Sequence, residues 1–218
     1  PQAELHIVRD AGHSAFEPGI TDNLVTMPRM RITHALKALK ERGPQVQINI
    51  RMTPPGDIEI GVLDGRLHIG VVPVLKPLAG LDYIPLYDEQ SQLYCSNTHP
   101  LFNQTGSSLT AELIHRHEAV LPAYAQPASI KARYQQMNGT ATASDREGIA
   151  FLILTGRYIG YLPEHYAQHW ADQGRLRVLS PATFGYQAPF SLILRRGRSR
   201  EPLIQTFRDL LKAQQRNE

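Results

Sequence analysis

The chain has one cysteine, one tryptophan and no apolar run near the roughly twenty residues that span a bilayer. A lone Cys95 excludes an internal disulfide framework and fits a reducing compartment, although a periplasmic protein can also lack disulfides. The opening PQAELHIVRD has neither the charged nor the apolar region of an export signal. The expectation is a cytoplasmic protein with no membrane span, though a trimmed chain would read the same way. Charge of one sign is scarce too, with 23 basic residues against 20 acidic ones among 218. The dense basic run RRGRSR at Arg195–Arg200 reads as a solvated turn before a last helix rather than a nucleic-acid surface.

Signatures of chemistry are also missing. There is no Gly-x-Ser-x-Gly elbow, no Gly-x-Gly-x-x-Gly after a strand and no Gly-Lys-Ser/Thr phosphate loop. Cys95 sits beside Tyr94 in an apolar strand pattern, where a small buried hydrophobe is the better reading than a nucleophile. Asp57 and Glu59 fall on an expected helix as ordinary solvated charge. One stretch does raise a metal question: LPEHYAQHW, Leu162–Trp170, puts His165 and His169 on one helix face. Glu164 precedes both histidines instead of standing between them, and two imidazoles fall short of the three protein ligands of a catalytic zinc. No catalytic residue, metal or cofactor is therefore expected, and the chain reads as a binding protein rather than an enzyme.

Short apolar runs alternate with helical patterns almost throughout, which indicates an α/β architecture. Leu5–Val8 reads as a strand followed by a long polar stretch. Ile32, Ala35, Leu36 and Leu39 then share one helical face, stopped at Gly43-Pro44. Val46, Ile48 and Ile50 alternate as a half-buried strand. A helix from about Asp57 to Leu63, a turn at Asp64-Gly65 and a strand over Leu67–Val72 follow. Two strands are expected at Leu81–Leu86 and Ser91–Ser96, another in EAVLPAY, and a helix in SIKARYQQMNG with Gly139 as its stop. Ser144 and Glu147 have capping-box spacing, Gly156 suits the left-handed position after the helix, and YIGYLP reads as a buried strand. The next helix buries Tyr166, Ala167, Trp170 and Ala171 and leaves both histidines to one side. A strand over Phe190–Leu194 and a helix with Leu203, Phe207, Leu210 and Leu211 inward complete the chain.

Four stretches in order resemble the effector-binding domain of LysR-type transcriptional regulators. They are ITHALKALKERGPQVQINI, IEIGVLDGRLHIGVV, LDYIPLYDEQSQLYCSNTHPL and ASDREGIAFLILTGRYIGYLPEHYAQHWADQGRLRVL. The chain departs from the family at His68, where aspartate is usual, at Arg157-Tyr158, and in more than ten additional residues between Leu5–Val8 and the first helix. The resemblance implies two Rossmann-like lobes joined by two crossing strands, as in type 2 periplasmic binding proteins. Lobe I would hold residues 1–86 and 189–218, and lobe II residues 87–188. The family's N-terminal winged helix-turn-helix has no counterpart here, so DNA would be reached only through a part absent from this chain. A homodimer, and a tetramer of the full-length protein, is implied, with Thr33–Arg42 and Val46–Arg51 against Tyr158–Gln173 of a second copy. His165 and His169 would then lie near the dimer interface. A free-standing solute-binding protein of the same fold is the first alternative, and an enzyme on a related fold the second.

Such folds bind small molecules at the carboxyl ends of strands, where helix N-termini favour anions. A small, carboxylate-bearing or otherwise anionic effector is thus the expected partner. Residues expected at the cleft are Arg9, Asp10, Gly12 and His13 after the first strand, where Arg9 or His13 suits a carboxylate but a surface pair with Asp10 is equally open. Thr53, Pro54 and Pro55 follow the second strand. Tyr124 follows a lobe II strand, and Ser144, Asp145 and Arg146 open the capped helix, with helix capping as the structural rival for Ser144.

Overall fold

The computed structural model describes residues 15–216. In chain order the elements are β1 (Ala15–Phe16), β2 (Pro18–Ile20), α1 (Arg31–Arg42), β3 (Gln47–Ile48), α2 (Pro55–Asp64), β4 (Ile69–Pro73), β5 (Leu81–Ser96), α3 (Ala111–Arg116), β6 (Glu118–Pro122) and α4 (Ala128–Tyr134). They continue with β7 (Asn138–Ala143), α5 (Arg146–Leu154), β8 (Gly160–Pro163), α6 (Glu164–Asp172), β9 (Leu176–Val178), α7 (Pro181–Phe184), β10 (Tyr186–Arg195) and α8 (Pro202–Arg216).

Two lobes share one pair of long strands. β5 and β10 run antiparallel from Leu81 opposite Arg195 to Ser91 opposite Tyr186, with a register shift at Phe190/Ser191. In the first lobe β4 pairs with β10, β2 lies parallel to β4, and β1 lies parallel to β3. In the second, β8 and β9 pair with β5, and β6 runs parallel to β7. Bridges Gly19–Arg51 and Ala119–Ile159 tie the small sheets to the central one.

Each lobe is closed by amphipathic helices. Ala35 and Leu39 of α1 and Ile204, Phe207 and Leu211 of α8 are buried around Phe16, Val46, Ile69 and Leu192. In the second lobe Ile149, Ala150 and Ile153 of α5 and Ala167 of α6 pack on Val120, Leu162 and Leu176. Glycine sets one close approach: Gly19 and Gly70 are register partners, and a Cβ on either would come within 2.9 Å of Ile58 in α2. Their absent side chains let α2 lie flat on the sheet and bring Pro55 to the interlobe edge.

Several expectations change. The Leu5–Val8 strand lies outside the described residues, and part of the expected polar stretch after it forms β1 and β2, which supply the parallel strand beside β4. The two strands expected over 81–96 are one continuous strand. The helix expected to run to Gly139 ends at Tyr134, because Asn138–Ala143 is drawn into a parallel ladder with β6. The strand expected from Val46 shortens to two residues, and Ile50 is exposed.

Candidate functional site

Strand ends from both lobes converge between them. β2 leads into Thr21 and Asp22, and Thr21 Oγ1 donates to the Val71 carbonyl at 2.9 Å, pinning that loop to β4. From the second lobe β6 leads to Tyr124, β7 to Arg146 at the start of α5, and β8 ends at Pro163. The crossing strands contribute Glu89, Ser91, Tyr186, Ala188 and Phe190. These groups, with Pro55, Tyr134 and Tyr161, enclose a cavity of about 40 Å³. That is room for roughly three water-sized positions.

Arg146 organises the charge. Its Nη1 donates to Glu89 Oε1 at 2.6 Å and its Nε to Asp22 Oδ1 at 3.2 Å, while Nη2 donates to the Asp22 carbonyl. Its backbone N–H donates to Asp22 Oδ2 at 2.8 Å, so a carboxylate of the first lobe occupies the N-terminus of α5. Burial works against the guanidinium charge, but the Glu89 and Asp22 carboxylates outweigh it and hold the Arg146 pKa above its usual value. Glu89 Oε2 lies 2.8 Å from His165 Nε2, and His165 Nδ1 lies 2.6 Å from Thr26 Oγ1. The resulting chain, Thr26–His165–Glu89–Arg146–Asp22, leaves the first lobe, passes through a crossing strand and the second lobe, and returns. Breaking one partner of such a buried pair costs more than the pair itself contributes.

Aromatic hydroxyls form the remaining wall. The Tyr134 and Tyr186 hydroxyls are 3.2 Å apart, and the Tyr161 ring meets the Tyr134 and Tyr186 rings at centroid distances of 5.2 Å. The Tyr161 hydroxyl is buried without a well-formed hydrogen bond and lies near Arg133, whose guanidinium carbon stands 6.0 Å from the Tyr186 ring centroid. Burial pushes the Tyr161 pKa up to about 12 and raises those of Tyr124, Tyr134 and Tyr186 as well, so these phenols are neutral donors at physiological pH.

Of the residues expected from sequence, Pro55, Tyr124 and Arg146 line this cavity. Thr53 and Pro54 are exposed and do not line it. Ser144 and Asp145 are exposed and border an open groove along Thr142–Leu152 instead. Arg9, Asp10, Gly12 and His13 lie outside the described residues. The capping expectation shifts by one residue: Asp145, not Ser144, caps α5, its Oδ1 accepting from the Gly148 N–H at 2.7 Å. His165 also differs from expectation, since its side chain is only 6% exposed and both ring nitrogens are engaged. His169 is exposed and packs edge-on against Trp170. Among the described residues no group of three or more His, Cys, Asp or Glu side chains is placed to hold a metal ion.

Sequence reasoning missed Thr21, Asp22, Glu89, Ser91, Tyr134, Tyr161 and Tyr186. A charged Glu89 between apolar strand halves was the readable signal for one of them. A second, larger cavity of about 620 Å³ lies in the first lobe, with a mainly apolar lining that includes Ile20, Leu24, Val25, Met30, Ile50 and Met52. It lacks the convergent buried charges of the interlobe cavity.

Comparison with known proteins adds ancestry to this geometry. Residues 24–216 match the LysR substrate binding domain. The HTH-type transcriptional activator BauR of Pseudomonas aeruginosa is 54% identical over 206 residues, covering 94% of this chain and 68% of that protein. Among solved structures, the effector binding domain of QuiR in complex with shikimate superposes with a TM-score of 0.74 at 10% identity, covering 94% of this chain and 99% of that one. Full-length CbnR complexed with its target DNA gives a TM-score of 0.67 at 13% identity, covering 93% of this chain and 71% of that one.

Proposed function

The chain belongs to the LysR substrate binding domain family, and from that membership we propose that the interlobe cavity is the effector site of a ligand-sensing transcriptional-regulator domain. The observation that carries this reading is the buried network of Asp22, Arg146, Glu89 and His165, which links both lobes around the cavity. A small molecule entering between the lobes must change the contacts of Glu89 or Arg146. A ligand with different affinity for the open and closed arrangements therefore shifts their populations. Thr21, Pro55, Glu89, Tyr124, Arg146, Tyr161 and Tyr186 are the contacts assigned to it. Lobe I is taken as residues 1–86 and 189–218, and lobe II as 87–188, because β5 and β10 pass between the half-sheets there.

The signal would reach DNA through a domain outside this chain, in the cytoplasm, by way of subunit contacts. A side-by-side homodimer is the arrangement favoured, with α1 and Val46–Arg51 as one of its faces. Val25, Met30, Ile50 and Met52 support it, since these large apolar side chains are all at least 40% exposed around the first-lobe cavity. The free-standing solute-binding alternative yields to the match with a transcriptional activator over nearly the whole chain.

Thermal-shift screening with a small-molecule library tests the site, because a ligand that prefers the folded state raises its stability. Hits are expected to disappear in Arg146→Lys and Tyr124→Ala and to persist in Met52→Gln. Hits that survive both cleft changes would remove the assignment.

A further inference from the structure

We infer that residues 22–30 form a strained strap that couples the interlobe cavity to the exposed apolar face of the first lobe, with His165 as the link. This rests on the reading of that cavity as the effector site and names how its occupancy is passed on. The strap joins β2 to α1 and contains one 3₁₀ turn, Leu24–Thr26. It carries Val25, 70% exposed, and Met30, 40% exposed, and with Met27 and Pro28 it walls the cavity of about 620 Å³ that Ile50 and Met52 also line. Little packing holds it down. Leu24 is the one buried side chain of these nine residues, so the position of the segment depends on polar ties. Its backbone is strained as well, because Asn23 and Met30 have φ of 62° and 47°, in the left-handed region. Asparagine tolerates that region, but a methionine keeps it only where the surroundings impose it. Once its ties are cut, the strap relaxes and carries Met27 and Met30 with it.

Two of the ties end at residues that line the interlobe cavity, Arg146 and Glu89. At the start of the strap the Asp22 carboxylate accepts from the Arg146 N–H at 2.8 Å and from its Nε at 3.2 Å. In the middle, Thr26 Oγ1 lies 2.6 Å from His165 Nδ1, and His165 Nε2 lies 2.8 Å from Glu89 Oε2. Glu89 is ion-paired to Arg146 and can only accept, so Nε2 carries a proton. Thr26 closes the link by donating to Nδ1 or, when the ring is doubly protonated, by accepting from it while donating to the Asn23 carbonyl at 3.0 Å. The link therefore holds in both charge states of the ring. Just beyond the strap, Arg31 Nη1 donates to the Leu86 carbonyl at 2.8 Å and fixes the far end to β5. A guest that displaces Glu89 or Arg146 disturbs the first two ties together, and the apolar face is reshaped without touching the guest.

The four methionines are built-in probes of this coupling. Met27 and Met30 lie in the strap, Met52 lines the first-lobe cavity, and Met137 is buried in the second lobe. Methyl NMR spectra of methionine-labelled protein are compared, with no ligand added, for the parent chain, Glu89→Gln, Thr26→Val and the double variant. Glu89→Gln is expected to shift and sharpen the Met27 and Met30 signals and to leave Met137 in place, and Thr26→Val to do the same. With Thr26→Val already present, Glu89→Gln should add less than about half of its own shift, the non-additivity of residues on one path. Met27 and Met30 signals indifferent to Glu89→Gln, or persistence of half or more of its shift in the double variant, would overturn the inference. An unmoved Met137 signal and a cooperative melt certify that each variant is folded. Should Glu89→Gln fail to fold, His165→Gln cuts the same link from the second lobe and takes its place with the same expectations. Because no ligand is involved, failure here leaves the effector-site assignment to its own thermal-shift test, and loss of that assignment would leave these methyl shifts unaltered.

Discussion

Arg146 Nη1 donates to Glu89 Oε1 at 2.6 Å across the lobe junction, and the two side chains are 8% and 4% exposed. Replacing Arg146 by Met leaves Glu89 and Asp22 facing each other without their shared cation. The expected loss is about 3–5 kcal/mol, the usual cost of orphaning a buried charge. Asp22→Asn, which keeps a hydrogen-bond acceptor for the guanidinium, should cost less than half as much. Urea denaturation of the three proteins measures both.

The α5 cap distinguishes two neighbouring residues. Asp145→Ala should destabilise by about 1 kcal/mol, because the Gly148 N–H loses its acceptor. Ser144→Ala should change stability by no more than a few tenths, as befits an exposed residue without a capping role. Equal losses in the two variants would restore the capping-box assignment.

That one-residue displacement shows what was readable in the sequence. α1 and α8 follow from apolar residues at helical spacing, because both bury one face on a sheet. The single strand β5 reads as two in the sequence because Pro85, Asp88 and Glu89 interrupt its apolar pattern. Those residues lie where the strand passes between lobes, so the local environment changes along one element. β7, with the sequence NGTATA, has no large side chain to announce a strand, and only its pairing with β6 makes it one. β2 contains Pro18 and Gly19, which speak against a strand locally although Gly19 is needed beneath Ile58. Leu5–Val8 is the more strand-like segment by its apolar pattern and places Arg9 and His13 at the cleft, whereas no local pattern marks the loop at Thr21 and Asp22. Asp22 meets Arg146 from 124 positions away, a relationship no local pattern contains.

His99 makes stability depend on pH. It is 4% exposed and its Nδ1 accepts the Leu101 N–H at 3.1 Å. Burial, with smaller contributions from His117 and Arg157, lowers its pKa to about 4 from the ordinary 6.5. Between those values the unfolded chain binds the proton that the folded chain refuses, so stability falls as pH drops from about 6.5 to about 4. His99→Asn should flatten this slope in chemical denaturation curves at pH 4.5 and 7.5. An unchanged slope would assign the dependence to other groups.

Tyr161→Phe should have opposite effects on stability and function. Removing a buried hydroxyl without a well-formed hydrogen bond relieves its desolvation, so the ligand-free domain should gain up to about 1 kcal/mol. Effector affinity should fall. Melting with and without a stabilising compound checks both signs, and a destabilised ligand-free variant would mean that the hydroxyl is satisfied.

The central claim is that the effector binds between the lobes at Glu89 and Arg146. A crystal structure of the domain with a compound that raises its melting temperature tests this most directly. The expected result is ligand density in the interlobe cavity, in contact with Glu89, Arg146 and Tyr161. Density in the apolar first-lobe cavity beside Met30 and Met52, with the Glu89–Arg146 pair undisturbed, would contradict it.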